Sequence, residues 1–331
     1  MKRRVSLIFN PVAGQGNPDV DLEAISSLLD SEIDLDVVIT TAESKPGDLA
    51  TAAIDRGAEA IIAAGGDGTL SAVAAALMNT NIPLGIISRG TANAFANALD
   101  LPTTIPEACA AILAGDTKVV DMATCNGLPM VLLAGIGFEA ETVNLADRDA
   151  KNRLGMLAYV FAGIQQLYNL QPFEVEIELE DRIITVSAAA ITIANAAPAT
   201  SILAQGGAQV VFDDGMLDLT IVAPATPLIA IEIAFDLLSS TMLGEASGRD
   251  DVGFLRSKWF KVTTNPPQQV VVDGEVIGTT PVEIECIPNA LTVYAPKMQG
   301  VQPLEKLEGL PNLKILSHER LRQRDEDLEN V

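Results

Sequence analysis

The chain has 331 residues, 44 of them acidic and 21 basic, so its formal net charge is -23 and its pI about 4.2. This excess of acid excludes a broad cationic surface for nucleic acid, which needs lysine and arginine to neutralise phosphates. Apolar residues make up 48% of the chain and aromatic residues 4%, which excludes disorder and predicts an aliphatic core. At about 100–200 residues per domain, the length predicts two domains.

Cysteine usage and hydropathy predict a reduced, cytoplasmic protein. Cys109, Cys125 and Cys286 are widely spaced and odd in number, which is typical neither of a disulfide framework nor of a zinc site. The basic start MKRR precedes only a short apolar run, so we interpret it as a first strand rather than a signal peptide. No stretch reaches the ~18–20 apolar residues of a transmembrane segment.

Short apolar strands alternate with helical segments from residue 4 to about residue 122. Strands are predicted at residues 5–9, 35–40, 60–64 and 83–87, and helices at residues 20–29, 49–56, 70–78, 91–99 and 105–114. Because the strands are continuously apolar and separated by helices, the pattern predicts a parallel sheet covered on both faces.

Strands dominate the chain beyond residue 119. They are predicted at residues 119–125, 130–135, 173–179, 183–193, 209–211, 217–222, 261–264, 269–272, 282–286 and 291–295. At residues 173–179, glutamates alternate with apolar residues, the period of two of a strand with one solvated face. Helices are predicted at residues 153–170 and 227–243, and a charged amphipathic helix at 304–331. The pattern predicts an antiparallel β domain that carries two helices.

Three glycine-containing loops follow predicted strands of the first domain. The main loop lies between a buried strand and a helix, where glycines and free amides favour phosphate binding and an aspartate can hold magnesium. In a parallel sheet the three loops share the carboxyl edge, where ligands bind in such folds. The alternative is three ordinary turns, with Asp67 as a helix cap. The loop residues are Gly65, Gly66, Asp67, Gly68 and Thr69, then Asn10, Pro11, Val12, Ala13 and Gly14, and finally Gly90, Thr91 and Asn93.

Two acidic turns lie in the second half of the chain. In the V-D-G-E sequence at 272–275, Asp273 and Glu275 stand two apart along an extended segment, so both carboxylates are expected on one side. Such a pair can act as a general base and its orienting partner. The alternative is a plain hairpin, because Asp-Gly is a common hairpin signal. Asp213-Asp214-Gly215 by itself indicates only a turn.

Together these motifs resemble the bacterial diacylglycerol kinase-like lipid kinases, a family that also includes the sphingosine and ceramide kinases. The glycine-aspartate loop alone is shared with NAD kinases and phosphofructokinases, whereas its combination with the two late acidic turns is specific. The motifs follow the family's order over about residues 4–297: N-P-x-A-G at 10–14, G-G-D-G-T at 65–69, G-T-A-N at 90–93, D-D-G-M-L-D at 213–218 and V-D-G-E at 272–275.

The resemblance implies an N-terminal Rossmann-like parallel α/β nucleotide domain and a C-terminal antiparallel β-sandwich domain, with the active site in the cleft between them. The first would comprise residues 1–122, with residues 297–331 returning to it. The second would comprise residues 123–296 and would bind the lipid.

The resemblance also implies an ATP- and Mg²⁺-dependent kinase that transfers the γ-phosphate to a hydroxyl of diacylglycerol or a related lipid at the membrane surface. Glu275 would be the general base, supported by Asp273, while Asp67 would act beside the phosphates. ATP would lie against the three glycine loops, with Thr41 near the adenosine. A structural magnesium would be held by Asp214 with Val211 and Met216.

Two positions depart from the family's motifs. Ser71-Ala72 stands where members usually carry Asn-Glu, and Ala94 stands where they carry aspartate. Phosphoryl transfer depends on positioning and on charge neutralised by a metal. The loss of two carboxylates is therefore expected to change either the binding of the catalytic magnesium or the choice of substrate. Two alternatives therefore stay open: a catalytically weak nucleotide- or lipid-binding homologue, and a kinase of a soluble substrate such as NAD. A homodimer also stays open, and the net charge disfavours docking on anionic lipids through a broad basic surface.

Overall fold

A computed structural model of the chain describes residues 2–137, 172–198 and 201–317, with gaps at 15, 205, 208–209, several positions between 225 and 244, and 296–304. The helix predicted at 153–170 lies outside the described residues. Within them, no helix has the length and hydropathy needed to cross a membrane.

Strands and helices alternate in the first part of the chain, as predicted. Prolines stand in the first turns of three helices, where the missing N–H has no intrahelical acceptor to lose. The helix predicted at 91–99 is confined to five residues, because Asn93 at its start is left-handed with φ 48°. The strands are β1 (Arg3–Phe9), β2 (Ile33–Ile39), β3 (Ala60–Gly65) and β4 (Leu84–Ser88), and the helices are α1 (Pro18–Leu29), α2 (Pro46–Asp55), α3 (Asp67–Leu77), α4 (Ala94–Ala98) and α5 (Ile105–Ala114).

The first four strands form a parallel array in the order β4-β3-β1-β2. Helices α2 and α3 pack on one face, against Ile8, Ile61 and Leu84. Helices α1 and α5 pack on the other face, against Leu7, Ile62 and Ile87. The predicted parallel sheet with two covered faces is therefore confirmed, and all its loops that follow strands open at one edge.

The second part of the chain is an antiparallel β-sandwich. One sheet has the order β12-β11-β10-β7-β14-β15, and its apolar side shares a core with β8, β9, β13 and β16 of the facing sheet. The strands are β5 (Thr117–Cys125), β6 (Leu128–Met130), β7 (Leu133–Gly137), β8 (Phe173–Glu178), β9 (Arg182–Ala188), β10 (Ala190–Ala194), β11 (Leu217–Val222), β12 (Val252–Ser257), β13 (Trp259–Asn265), β14 (Gln269–Val272), β15 (Glu275–Thr279), β16 (Val282–Tyr294) and β17 (Lys314–Ser317).

Strand β16 joins the two halves of the molecule. It pairs with β13 of the sandwich, and near its end Val293 pairs in parallel with Leu84 of β4. The α/β array and one sandwich sheet are therefore a single 11-stranded sheet. The two strands predicted at 282–286 and 291–295 are this one strand, with an irregularity in its pairing between Ile287 and Leu291.

Several strand predictions need correction. The strand predicted at 130–135 is divided between β6 and β7, and that predicted at 183–193 is divided between β9 and β10. Residues 210–211 are not a strand, whereas β12 and β15 were not predicted. The described residues between 229 and 243 are helical as predicted, and Ile233 and Leu237 bury this segment against the sandwich.

Residues 305–317, the described part of the chain's last segment, differ from the prediction in fold and in place. Residues 314–317 form β17, which pairs antiparallel with β9, rather than part of a helix. Leu310 lies in the sandwich core, and Lys306 forms a backbone bridge with Phe254 of β12. Residues 305–317 therefore pack on the sandwich and not on the first domain. The mixture of apolar and charged residues in this segment is compatible with an edge strand as well as with a helix, so the pattern does not distinguish between the two.

Candidate active site

The first two glycine loops are joined by Asn10, which directly follows β1. Its Nδ2 donates to the Thr69 Oγ1 at 2.8 Å, and its Oδ1 accepts from the Val12 amide at 3.1 Å. Thr69 is buried in the first turn of α3, whereas Val12 is 89% exposed. One amide side chain thus shapes the 10–14 loop and fixes it to the glycine-aspartate loop.

Close backbone contacts bring in the third loop. A Cβ on Gly90 would lie 3.1 Å from the Gly66 Cα and 3.2 Å from the Asn93 Oδ1. At Gly14, where φ is +85°, a Cβ would lie 2.5 Å from the Arg89 carbonyl oxygen. Position 14 therefore requires glycine, and a side chain at position 90 would require its neighbours to shift, so the three loops predicted to share an edge do form one cradle.

Arg89 is a residue of this cradle that the sequence pattern did not single out. Its guanidinium donates to the Asn10 carbonyl oxygen at 2.5 Å and to the Asp21 carboxylate at 2.9 Å. It also lies 4.4 Å from the centre of the Phe9 ring, and its side chain is 2% exposed. The sequence did contain a signal for Arg89: a charged residue stands at the end of an apolar strand and directly precedes the third glycine loop.

Asp67 stands in the first turn of α3, after the N-cap residue Gly66. Its Oδ1 accepts from the Phe95 amide at 3.1 Å. Burial raises the pKa of Asp67, against the amide hydrogen bonds of Phe95 and Ala94 that lower it. Asn93, beside these amides, has a buried Oδ1 that accepts no hydrogen bond from the described residues.

The cradle fits the phosphates of a nucleotide. It lies at the N-terminus of α3, where unpaired amides and the helix dipole favour anions. The Asn93 Oδ1 has no partner among the described residues and, as an acceptor, could take a hydrogen bond from a ligand hydroxyl. Thr41 and Thr91 are exposed at the same sheet edge, after β2 and β4, and the Thr41 amide donates to the Ser44 Oγ at 2.7 Å.

The V-D-G-E sequence is a two-residue hairpin turn between β14 and β15. Asp273 and Gly274 have φ of 48° and 88°, as in a type I′ turn, and Val272 pairs with Glu275. The expectation that both carboxylates share a side of an extended segment is therefore wrong, because the turn separates them. Glu275 is exposed at the start of β15.

The Asp273 carboxylate is directed at the β6–β7 connection. It accepts from the amides of Val131 and Leu132 at 2.8 Å and of Leu133 at 3.1 Å. Burial raises the pKa of Asp273, the three amides oppose that shift, and the negative charge of Asp67 raises it further. Val131 and Leu132 share a core with Leu70 of α3 and with Phe95, so the segment that Asp273 binds packs against the domain that carries the glycine-aspartate loop.

Asn195 is a second residue that sequence reasoning missed. Its Nδ2 donates to the Val131 carbonyl at 2.8 Å and to the Asp121 carbonyl at 3.1 Å, and it is 2% exposed. Its amide donates to the Leu132 carbonyl at 2.8 Å. Segment 131–133 is thus held through its carbonyls by Asn195 and through its amides by Asp273.

At the predicted structural metal site, an arginine binds the carboxylate that was predicted to hold the metal. Asp214 accepts from Arg256 through both oxygens, at 2.9 and 2.7 Å. The amides of Val211 and Met216 donate to the carboxylates of Asp218 and Asp214. Among the described residues, no three acidic, histidine or cysteine side chains form a group suited to a metal ion. The Asp214 carboxylate, which the resemblance assigns to a structural magnesium, is therefore occupied by Arg256.

A parallel α/β sheet with a phosphate cradle, facing an acidic hairpin on a β-sandwich, defines a two-domain kinase class. Comparison with protein families agrees. The diacylglycerol kinase catalytic domain matches residues 4–125, and the YegS C-terminal NAD kinase beta sandwich-like domain matches residues 133–295.

Individual proteins show the same likeness over most of the chain. A "Probable lipid kinase YegS-like" of Xanthomonas oryzae pv. oryzae is 30% identical over 307 residues, which cover 88% of this chain and 95% of that protein. The protein sll0036 of Synechocystis sp., which has no assigned function, is 52% identical over 88% of this chain and 70% of its own length. A crystal structure of a protein assigned as a diacylglycerol kinase from Bacillus anthracis str. Sterne is 27% identical, with a TM-score of 0.76 over 89% of this chain and 97% of that one. The chain belongs to the diacylglycerol kinase-like lipid kinase family.

Proposed function

We propose that the protein is an ATP- and Mg²⁺-dependent lipid kinase that phosphorylates the hydroxyl of diacylglycerol or a related lipid. The observation that carries this proposal is the binding of the Asp273 carboxylate to the amides of Val131 and Leu132, because these two residues share a core with α3 and so bring the hairpin with Glu275 to the first domain. Family membership supports the reaction class, and the exposed Glu275 carboxylate supports the choice of base.

The cradle orients the nucleotide. Amides at the start of α3 bind phosphate oxygens, and the 10–14 and 90–93 loops close around them. Asp67 is the carboxylate that we propose would hold Mg²⁺, which would supply positive charge to the transferring phosphoryl group. Thr41 and Thr91 lie at the rim, where the sugar and base leave the cradle.

Glu275 removes the proton. As the lipid oxygen bonds to the γ-phosphorus, the bond to the bridging oxygen of ADP breaks and the hydroxyl proton passes to the Glu275 carboxylate. Glu275 is exposed and so is accessible to the acceptor. Asp273 is a positioning residue, because its carboxylate is occupied by three amides and cannot also take the proton.

The test is phosphate transfer from labelled ATP to a panel of diacylglycerol, ceramide, a sphingoid base and phosphatidylglycerol, with NAD as a separate arm. A labelled lipid is expected, and Glu275→Gln should lower its rate by about 10²–10⁴. Glu174→Gln is the control, since Glu174 is also an exposed glutamate on a strand. Transfer to NAD alone, or an undiminished rate for Glu275→Gln, contradicts the proposal.

A second candidate is a nucleotide- or lipid-binding protein with weak catalysis. It is favoured by Ala94, which is adjacent to Phe95, the residue whose amide donates to Asp67. The carboxylate missing at 94 is therefore missing beside the proposed Mg²⁺ ligand. ATP binding without transfer to any member of the panel would support this candidate.

We also propose a cytoplasmic protein in peripheral contact with membrane lipid. All three cysteines are buried and unpaired, which supports a reducing compartment. A neutral acceptor such as diacylglycerol suits a chain of net charge -23, because binding it needs no cationic surface. Sedimentation with neutral and anionic vesicles tests this contact.

A further inference from the structure

The turn at residues 213–218 concentrates negative charge that is already balanced within the chain. Asp213 forms an ion pair with Lys118 at 2.9 Å. Asp214 and Asp218 pair with one arginine, Arg256, at 2.7 and 2.8 Å. The nearby Asp121 carboxylate accepts the Gly215 amide at 2.6 Å and the Asn289 amide at 2.8 Å. Each carboxylate around the turn therefore has a cationic or amide partner.

Arg256 is positioned for this role by the sandwich sheet. It lies on β12 directly opposite Asp218 of β11, and its amide donates to the Glu305 carboxylate at 3.0 Å. The side chains of Arg256 and Asp218 are each 11% exposed, and that of Asp214 is 30% exposed. A planar guanidinium can donate to two carboxylates at fixed angles, which a lysine cannot do.

A divalent ion at Asp214 would have to displace this guanidinium. Both Asp214 oxygens accept from Arg256, and Oδ1 also accepts the Met216 amide. Displacement would remove one of the two carboxylates that pair with the largely buried Arg256 and leave only Asp218, which is unfavourable. The amides of Val211 and Met216 donate to Asp218 and Asp214, and a cation held by the carbonyls of these two residues would still need the Asp214 carboxylate that Arg256 occupies.

We propose that Arg256 acts as a built-in cation at the 213–218 turn and that this chain holds the turn in place without a structural divalent metal. The guanidinium links Asp214 to Asp218 and so fixes the start of β11. Within the turn, the Gly215 amide donates to the Asp121 carboxylate. The Asp121 backbone carbonyl accepts from the Asn195 side chain. The inference concerns the sandwich domain and is independent of the proposed kinase reaction.

The first test uses the unaltered chain without nucleotide. Its Tm is measured in EDTA and in millimolar Mg²⁺ or Ca²⁺. A shift of less than about 1 °C is expected, because an ion that does not bind the native state cannot stabilise it. A saturable rise in Tm that disappears in Asp214→Asn would show a metal at this turn and overturn the inference.

The second test removes one of two cationic side chains, Arg256 or Lys118, each of which pairs with aspartate at this turn. Arg256→Met should lower Tm by about 5–15 °C, because it leaves the largely buried Asp218 and the partly exposed Asp214 without their cation. Lys118→Met is the matched control, since Lys118 also pairs with an aspartate of this turn but is 25% exposed, and it should cost no more than a few degrees. Equal losses in the two variants would contradict the role of Arg256. If Arg256→Met does not fold, the metal titration of the unaltered chain still decides.

Discussion

The Arg89 guanidinium lies 4.4 Å from the centre of the Phe9 ring and donates to the carbonyl of the next residue, Asn10. This contact joins the end of β4 to the end of β1 beneath the phosphate cradle. Because Arg89 is buried and also pairs with Asp21 of α1, it holds the first loop from within the fold. A cradle held in this way would be formed before the proposed nucleotide binds, which would lower the ordering cost of binding.

Arg89→Lys should test this preorganisation. An ammonium cannot donate to Asn10 and Asp21 in the same planar geometry, so we expect about 2–4 kcal/mol lower stability and roughly tenfold weaker ATP binding. Urea unfolding and calorimetric titration with ATP measure these changes. Arg56→Lys is the control, because the Arg56–Asp36 pair is more than half exposed on both sides and should contribute little. Unchanged ATP affinity in Arg89→Lys would show that the loop orders independently of Arg89.

Asp273→Asn should separate positioning from proton transfer. In the variant, an NH₂ group replaces one of the two carboxylate oxygens that accept from the amides of residues 131–133. Donor would then face donor, so the free energy of unfolding should fall by about 1–3 kcal/mol. We expect kcat to fall while KM for ATP stays near the wild-type value, because the cradle is unaltered.

The pH profile of kcat distinguishes the two acids in that experiment. If Glu275 is the base, Asp273→Asn keeps the acidic limb of the profile at a lower rate, whereas Glu275→Gln removes it. Loss of the acidic limb in Asp273→Asn would instead identify Asp273 as the group that takes the proton.

The sequence predicted most of the site but little of what supports it. Glycine patterns and strand period located the 65–69 loop and the hairpin at Asp273-Gly274, because both depend on local backbone preferences. Arg89, Asn195 and Arg256 act through contacts 38 or more residues away, which no local pattern encodes. The same reason applies to β16, since nothing local shows that one strand pairs with both halves of the molecule.

Asp218 should make stability depend on pH in the direction opposite to that of a typical aspartate. Burial raises the pKa of Asp218 to about 6, although Arg256 opposes the shift. An unfolded aspartate has a pKa of about 3.9, so the folded chain holds this proton more tightly between roughly pH 4 and 6. That stabilising contribution is complete below about pH 4 and is lost as the pH rises through 6.

The measurement is urea unfolding of the unaltered chain and of Asp218→Asn at pH 5 and pH 7.5. Other groups cancel in the difference between the two proteins. Relative to Asp218→Asn, the unaltered chain should lose about 1–1.5 kcal/mol between these pH values. A difference that does not change with pH would mean that Asp218 titrates near its ordinary value.

The three cysteines should be unreactive while the chain is folded. Burial raises the pKa of Cys109 and Cys125 to about 11 and that of Cys286 to about 12, so the thiolate is scarce at pH 8. Because the thiolate is the nucleophile, a disulfide reagent should label none of them in native protein and all three in concentrated urea. Mass spectrometry counts the labels at each time. Rapid labelling of a native thiol would contradict this prediction and show that the segment around it opens locally. Cys125 and Cys286 lie on the adjacent strands β5 and β16. Labelling of these two would show that the junction between the two halves opens.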